Sequence, residues 1–112
     1  MELETREHVL TIHVVTAHGR LDAFSVPELR ERLLALSTQG GRHFVVDLSG
    51  VDFLDSAGMA ALVSLLKHAR QVGGDVHLVW PASDAARRIL HLTRFDRVFK
   101  MHDNVDEALD LF

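Results

Sequence analysis

At 112 residues the chain has the length of a single ordinary domain, with enough apolar residues (47%, against 25% charged) for one core. A formal net charge of −4 argues against a nucleic-acid partner, because no positive field draws phosphates to the surface. The absence of cysteine removes disulfide frameworks and thiol chemistry. The stretch Met1-Glu2-Leu3-Glu4-Thr5-Arg6-Glu7 lacks the apolar core of a signal peptide, and the nearly apolar run Met59–Leu66 is too short to cross a bilayer. The expectation is one cytoplasmic domain over residues 1–112, without membrane insertion.

In chain order, Glu2 to Glu7 is polar and weakly patterned and can form at most an edge strand. Val9–Val15 carries the β-favouring residues Val9, Leu10, Ile12, Val14 and Val15, and Gly19 marks its break. Ser25-Val26-Pro27-Glu28 reads as a capping box opening a helix, with Val26, Leu29, Leu33 and Leu36 on one apolar face. Gly40-Gly41 ends it. Phe44-Val45-Val46-Asp47-Leu48 is apolar without alternation, the pattern of a strand covered on both sides.

An acidic turn follows, then a second helix whose Met59, Leu62, Val63, Leu66 and Ala69 face the core, closed by Gly73-Gly74. Val76–Trp80 is the next strand, stopped by Pro81. Ser83 caps a third helix with Ala86, Ile89, Leu90 and Leu92 inward. Val98–Met101 reads as a last short strand, and Val105, Ala108, Leu109 and Phe112 as the inner face of a C-terminal helix. Strand, helix, Gly-Gly and strand occur twice in succession, the rhythm of linked βαβ units around a parallel sheet.

Chemistry would sit in the acidic turn, Asp47-Leu48-Ser49-Gly50-Val51-Asp52-Phe53-Leu54-Asp55-Ser56-Ala57-Gly58-Met59. A hydrolase elbow requires glycine two residues before the serine, and Leu54 stands there. A phospho-accepting aspartate, Asp52 or Asp55, would need further carboxylates after the first strand to hold magnesium; Val14-Val15-Thr16 offers none, and Lys100 is the one lysine near a late strand. Eight histidines, His8, His13, His18, His43, His68, His77, His91 and His102, show no zinc-helix spacing with glutamate. Both Gly-Gly pairs follow helices, so neither is a phosphate-binding loop. For Ser56 itself two readings stay open: a helix N-cap, or an acceptor of phosphate at a helix start, where free N–H groups and the helix dipole favour an anion.

The run Val45 to Met59, with Gly19-Arg20-Leu21-Asp22 upstream and Gln71-Val72-Gly73-Gly74, Arg88–Thr93 and Val98-Phe99 downstream, closely resembles the STAS domain family, whose name joins sulfate transporters and anti-sigma factor antagonists. The resemblance implies an α/β fold: a mixed, mostly parallel sheet of four to five strands, with about four helices packed mainly on one face. It implies no catalytic activity, cofactor or metal. Free-standing members of this size resemble anti-sigma factor antagonists. Their partners are a serine kinase of the histidine-kinase-like ATPase superfamily that doubles as the anti-sigma factor, and a metal-dependent serine phosphatase. The phosphoacceptor position falls on Ser56, with Asp22 and Asp55 as neighbours. Two departures stand out: Thr16-Ala17-His18 lengthens the segment before Gly19, and Ala57 replaces a second hydroxyl residue.

On a helical wheel Ala57, Ala61, Ser64 and His68 lie opposite the expected core face, with Leu65 on a flank. With Gly58, these small side chains form the expected docking face for a partner helix. Related single domains also serve as regulatory subunits of lipid-transport ATPases or sensory assemblies, in which Ser56 would be a structural cap.

Overall fold

The computed structural model describes residues 1–7 and 9–112; His8 lies outside the described residues. Four strands and five helices alternate along them: β1 (Ile12–Leu21), α1 (Val26–Thr38), β2 (His43–Leu54), α2 (Ser56–Gln71), β3 (Asp75–Val79), α3 (Asp84–Leu92), the single turn α4 (Phe95–Val98), β4 (Lys100–His102) and α5 (Val105–Asp110). The strands lie in the order β1-β2-β3-β4, and every pairing among the described residues is parallel. The sheet is therefore not mixed. Glu2–Glu7 takes no strand conformation and is exposed, since a segment whose one apolar residue is Leu3 has no face to bury. That leaves β1 at the edge.

Side-chain alternation sorts the two faces. Phe44, Val46 and Leu48 of β2, with Val76 and Leu78 of β3, pack in one core with Val26 and Leu33 of α1, Leu62 and Leu66 of α2, and Ala86 and Leu90 of α3. Val45 and Val79 point the opposite way and meet Ala108, with Ile12, Val105, Leu109 and Phe112 packed around them. Thus α1 to α4 cover one face and α5 covers the other. The unbroken apolar run in β2 follows from this double burial.

Several boundaries differ from the sequence expectation. β1 continues through Gly19 to Leu21 because β2 continues with it as far as Leu54. From Thr16↔Asp47 to His18↔Gly50, β1 advances two residues while β2 advances three, and β2 gains another before Arg20↔Phe53. The extra residues are thus bulges on β2, and Thr16-Ala17-His18 runs within a strand rather than a loop. Gly19 takes φ +84° at this irregularity, a conformation that glycine adopts without strain.

The acidic turn is itself mostly strand. β2 pairs with β3 only over His43–Asp47 and then proceeds beside β1 alone, leaving Asp55 as the one residue between strand and helix. At the far end of the sheet Phe95–Val98 forms a helical turn, and β4 begins only at Lys100. Leu92, expected in the core, is 71% exposed.

Candidate functional site

The site is built where β1 and β2 end together and α2 begins. The residue before the helix, Asp55, is in extended conformation, and its Oδ1 accepts the N–H groups of Ala57 (2.9 Å) and Gly58 (3.0 Å). Asp55 is the N-cap and Ser56 is the first helical residue. The cap reading of Ser56 is therefore corrected by one position: a single carboxylate oxygen, with two lone pairs, satisfies two orphan amides at once.

The other oxygen of Asp55, Oδ2, accepts the N–H of Ala23 at 3.1 Å. This pins the loop after β1 to the start of α2. Asp22 organises that loop from within. Its Oδ1 accepts the N–H groups of Phe24 and Ser25 (3.0 and 3.1 Å), and its Oδ2 accepts the Nε–H of Arg20 at 3.1 Å. Desolvation opposes the charge on Asp22, but the Arg20 guanidinium and these amides outweigh it and hold its carboxyl below the usual value.

Ser25 does not form the expected capping box. Its hydroxyl donates to the Arg20 carbonyl (2.7 Å) and accepts the Asp22 N–H (3.0 Å), and it makes no cap bond to α1. The turn-forming aspartate three residues earlier claims it first.

Ser56 is exposed, and with the α2 amides occupied by Asp55 its hydroxyl is not committed to capping. The structure brings Asp22, Asp55 and Ser56 into one neighbourhood, as the sequence suggested. It does not bring most of the expected docking residues to the surface. Gly58, Ala61 (2% exposed) and Leu65 are buried, while Ala57 is half-buried. The face of α2 turned to the core is Gly58, Ala61, Leu62, Leu65, Leu66 and Ala69, a rotation of the wheel drawn from hydropathy alone.

Gly58 shows why the helix is turned this way. A Cβ there would stand 2.5 Å from the Leu21 carbonyl oxygen, so α2 lies directly on the end of β1. The exposed face that continues from Ser56 at helical spacing is Ala60, Ser64 and Lys67. Of the expected docking set Ser64 remains there, and Ala57 borders it.

Two features at the ends of β1 and β2 went unread in the sequence. Phe24 is 96% exposed on the loop that Asp22 and Asp55 fix. The Arg20 guanidinium lies 4.0 Å from the centre of the Phe53 ring, a cation–π stack spanning the ends of β1 and β2. The available signal for Phe24 was a lone aromatic among turn residues, between Asp22 and Ser25.

A family model described as "STAS domain" matches residues 1–108. A Thermotoga neapolitana protein, named a TM1081 homologue, is 35% identical over 72 residues, 64% of this chain and 63% of that protein. The match therefore spans less than two thirds of that relative's length. The anti-sigma-B factor antagonist of Staphylococcus aureus is 28% identical over 92 residues, 82% of this chain and 84% of its own. Among solved structures, an anti-sigma factor antagonist from Mycobacterium paratuberculosis superposes with a TM-score of 0.78 at 28% identity, covering 94% of this chain and 88% of its own.

Proposed function

The chain belongs to the STAS domain family, and on that premise we propose that it is an anti-sigma factor antagonist switched by phosphorylation of Ser56. With Ser56 unmodified the domain binds an anti-sigma factor serine kinase of the histidine-kinase-like ATPase type and frees the sigma factor. The kinase transfers phosphate to Ser56 and so ends the association, and a metal-dependent serine phosphatase reverses it. The relatives named as anti-sigma factor antagonists support the general role. The observation that carries the switch is the exposed Ser56 hydroxyl at the start of α2, relieved of capping by Asp55.

Phosphorylation adds roughly −1.5 to −2 charges. The amides of Ala57 and Gly58 already serve Asp55, so the phosphate does not find the free N–H groups that an uncapped helix offers. It stands in solvent beside Asp22 and Asp55. At a closed interface it must shed water and meet those carboxylates. Repulsion at roughly 6 Å, in an intermediate dielectric near about 40, is about 1–3 kcal/mol per neighbouring charge. A tenfold change in affinity needs only about 1.4 kcal/mol. The switch is therefore electrostatic and steric, and the backbone of the phosphorylated domain should superpose on the unmodified one.

The deciding experiment incubates the domain with its candidate anti-sigma factor kinase and ATP and reads intact mass. A gain of about 80 Da, absent in Ser56→Ala, is the expected result. No gain with any such kinase would overturn the proposal and favour a constitutive regulatory subunit with a structural Ser56.

A further inference from the structure

The face of the sheet under α5 carries an arrangement the switch does not use. The outward alternation of β2, β3 and β4 places His43, His77 and His102 on it, and His77 and His102 are buried. Their rings are joined directly, His102 Nε2 to His77 Nδ1 at 3.0 Å. Each outer nitrogen faces a carboxylate: His77 Nε2 lies 3.7 Å from Asp75 Oδ2, and His102 Nδ1 lies 3.6 Å from Glu107 Oε1 on α5. The Phe112 ring stacks on His77 at 3.9 Å between centroids, and His43 meets its edge at 5.5 Å.

Counting N–H groups shows what this pair can hold. Two neutral imidazoles own two N–H groups; one bridges the rings, so one outer nitrogen presents a lone pair to a carboxylate. Add one proton, and both outer nitrogens carry hydrogen toward a carboxylate while the bridge survives. Add a second, and both inner nitrogens carry hydrogen, 3.0 Å apart, with two positive rings in a buried site. The first proton completes the network and the second breaks it.

We propose that the His77–His102 pair is a proton-operated latch on α5: closed while the rings share a bridging proton, and opened in mild acid when both rings are charged, freeing α5 and Phe112 from the sheet. The helix is suited to release. It has six residues, too few to persist without tertiary contact, and it is held by Val105, Ala108, Leu109 and Phe112 against Ile12, Val45 and Val79.

The surroundings of the pair fix the direction. Burial lowers the His77 pKa first and the charge of His102 lowers it further; Asp75 opposes them, Lys100 adds to the lowering, and the Ala108 main chain raises it. Lys100 and Arg70 both pair with Asp75 (3.3 and 3.5 Å), which divides its support for the ring. Glu107 faces His102 from α5, and His43 faces Phe112 from β2 with its Nδ1 buried and without a hydrogen-bond partner among the described residues. The unfolded chain protonates His77 near the ordinary value of 6.5, the folded one lower. The stabilisation is therefore full above that value and is lost as pH falls toward the folded pKa.

Amide hydrogen exchange on the whole chain at pH 7.5 and 5.0, corrected for intrinsic rates, tests this. Protection of Ala108 and Leu109 should fall at least tenfold while Leu62 and Leu66 of α2 hold theirs. His102→Gln keeps an N–H donor for His77 without the titration, and should abolish the difference. Parallel loss in α2 and α5, or an unchanged pH response in the variant, would overturn the latch. Should that variant not fold, ring ¹⁵N spectra of the unaltered chain decide. Both rings charged at pH 5.0 with α5 still protected contradict the proposal; charging of His77 that tracks the loss of α5 supports it.

Discussion

Asp55 is the residue on which the site turns, because its two oxygens hold three amides from two distant segments. Replacing it with alanine removes a helix cap, which costs about 0.5–2 kcal/mol, and also releases the loop at Ala23. We expect a reduced urea midpoint with an unchanged slope for Asp55→Ala, and a smaller loss for Asp55→Asn, which keeps an acceptor oxygen. Phe24→Ala should leave stability within about 0.5 kcal/mol, as exposed substitutions do, yet weaken binding of the proposed kinase measured by calorimetry; unaltered affinity would show that Phe24 takes no part in that association. Asp22, Asp55 and Ser56 were legible because they stand in short motifs. The exchange of roles between Asp55 and Ser56 was not, since either residue type can cap a helix. What selects Asp55 is its reach to Ala23, 32 positions upstream, and no local pattern contains that distance.

At the scale of elements, hydropathy located every helix but the single turn α4, and it misjudged the roll of α2. Met59 and Val63 are larger and more apolar than Gly58 and Ala61, so a wheel weighted by side chain turns toward them. Close packing chose the small residues instead, because they let the helix axis approach β1. Gly58→Ala should push Leu21 and the start of α2 apart and cost about 1–3 kcal/mol. Thermal melts should show that loss, and a neutral result would mean that α2 slides at no penalty. The length of β1 was hidden for a related reason: Gly19 reads as a stop, but here it accommodates the irregular register created by two extra residues in β2. Strand pairing overrides such a signal, and pairing partners are not written next to one another in the chain.

For the molecule as a whole, acid should act through Asp75 as well as through the histidines. Burial opposes its charge, but the Val76 N–H, Lys100 and Arg70 outweigh that and hold its carboxyl below the usual 3.8. A depressed carboxylate stabilises the fold above the unfolded value, and that support is lost as pH falls through the folded one. Melting temperatures followed from pH 7 to 2.5 should therefore drop again below about 4, and Asp75→Asn should start lower at pH 7 and flatten that limb. The burial of β2 on both faces was readable from its unbroken apolar run Phe44-Val45-Val46, whereas no local pattern carries the strand order. The histidine pair was not, because His77 and His102 become neighbours only when β3 and β4 lie side by side.

The hydrogen bond from Ala23 to Asp55 also has a meaning for quality control. The surroundings of Ser56 are contributed by residues 20–25 and 52–58 together, so they exist only in a chain that has closed its sheet. A linear peptide of residues 50–62 contains the serine but none of the loop that frames it, and we expect the kinase to modify it far more slowly than the intact domain in a parallel ATP assay. Equal rates would show that the enzyme reads sequence alone. If the domain is favoured as expected, damaged or half-made copies stay unmarked, and the pool of phosphorylated protein reports on folded molecules.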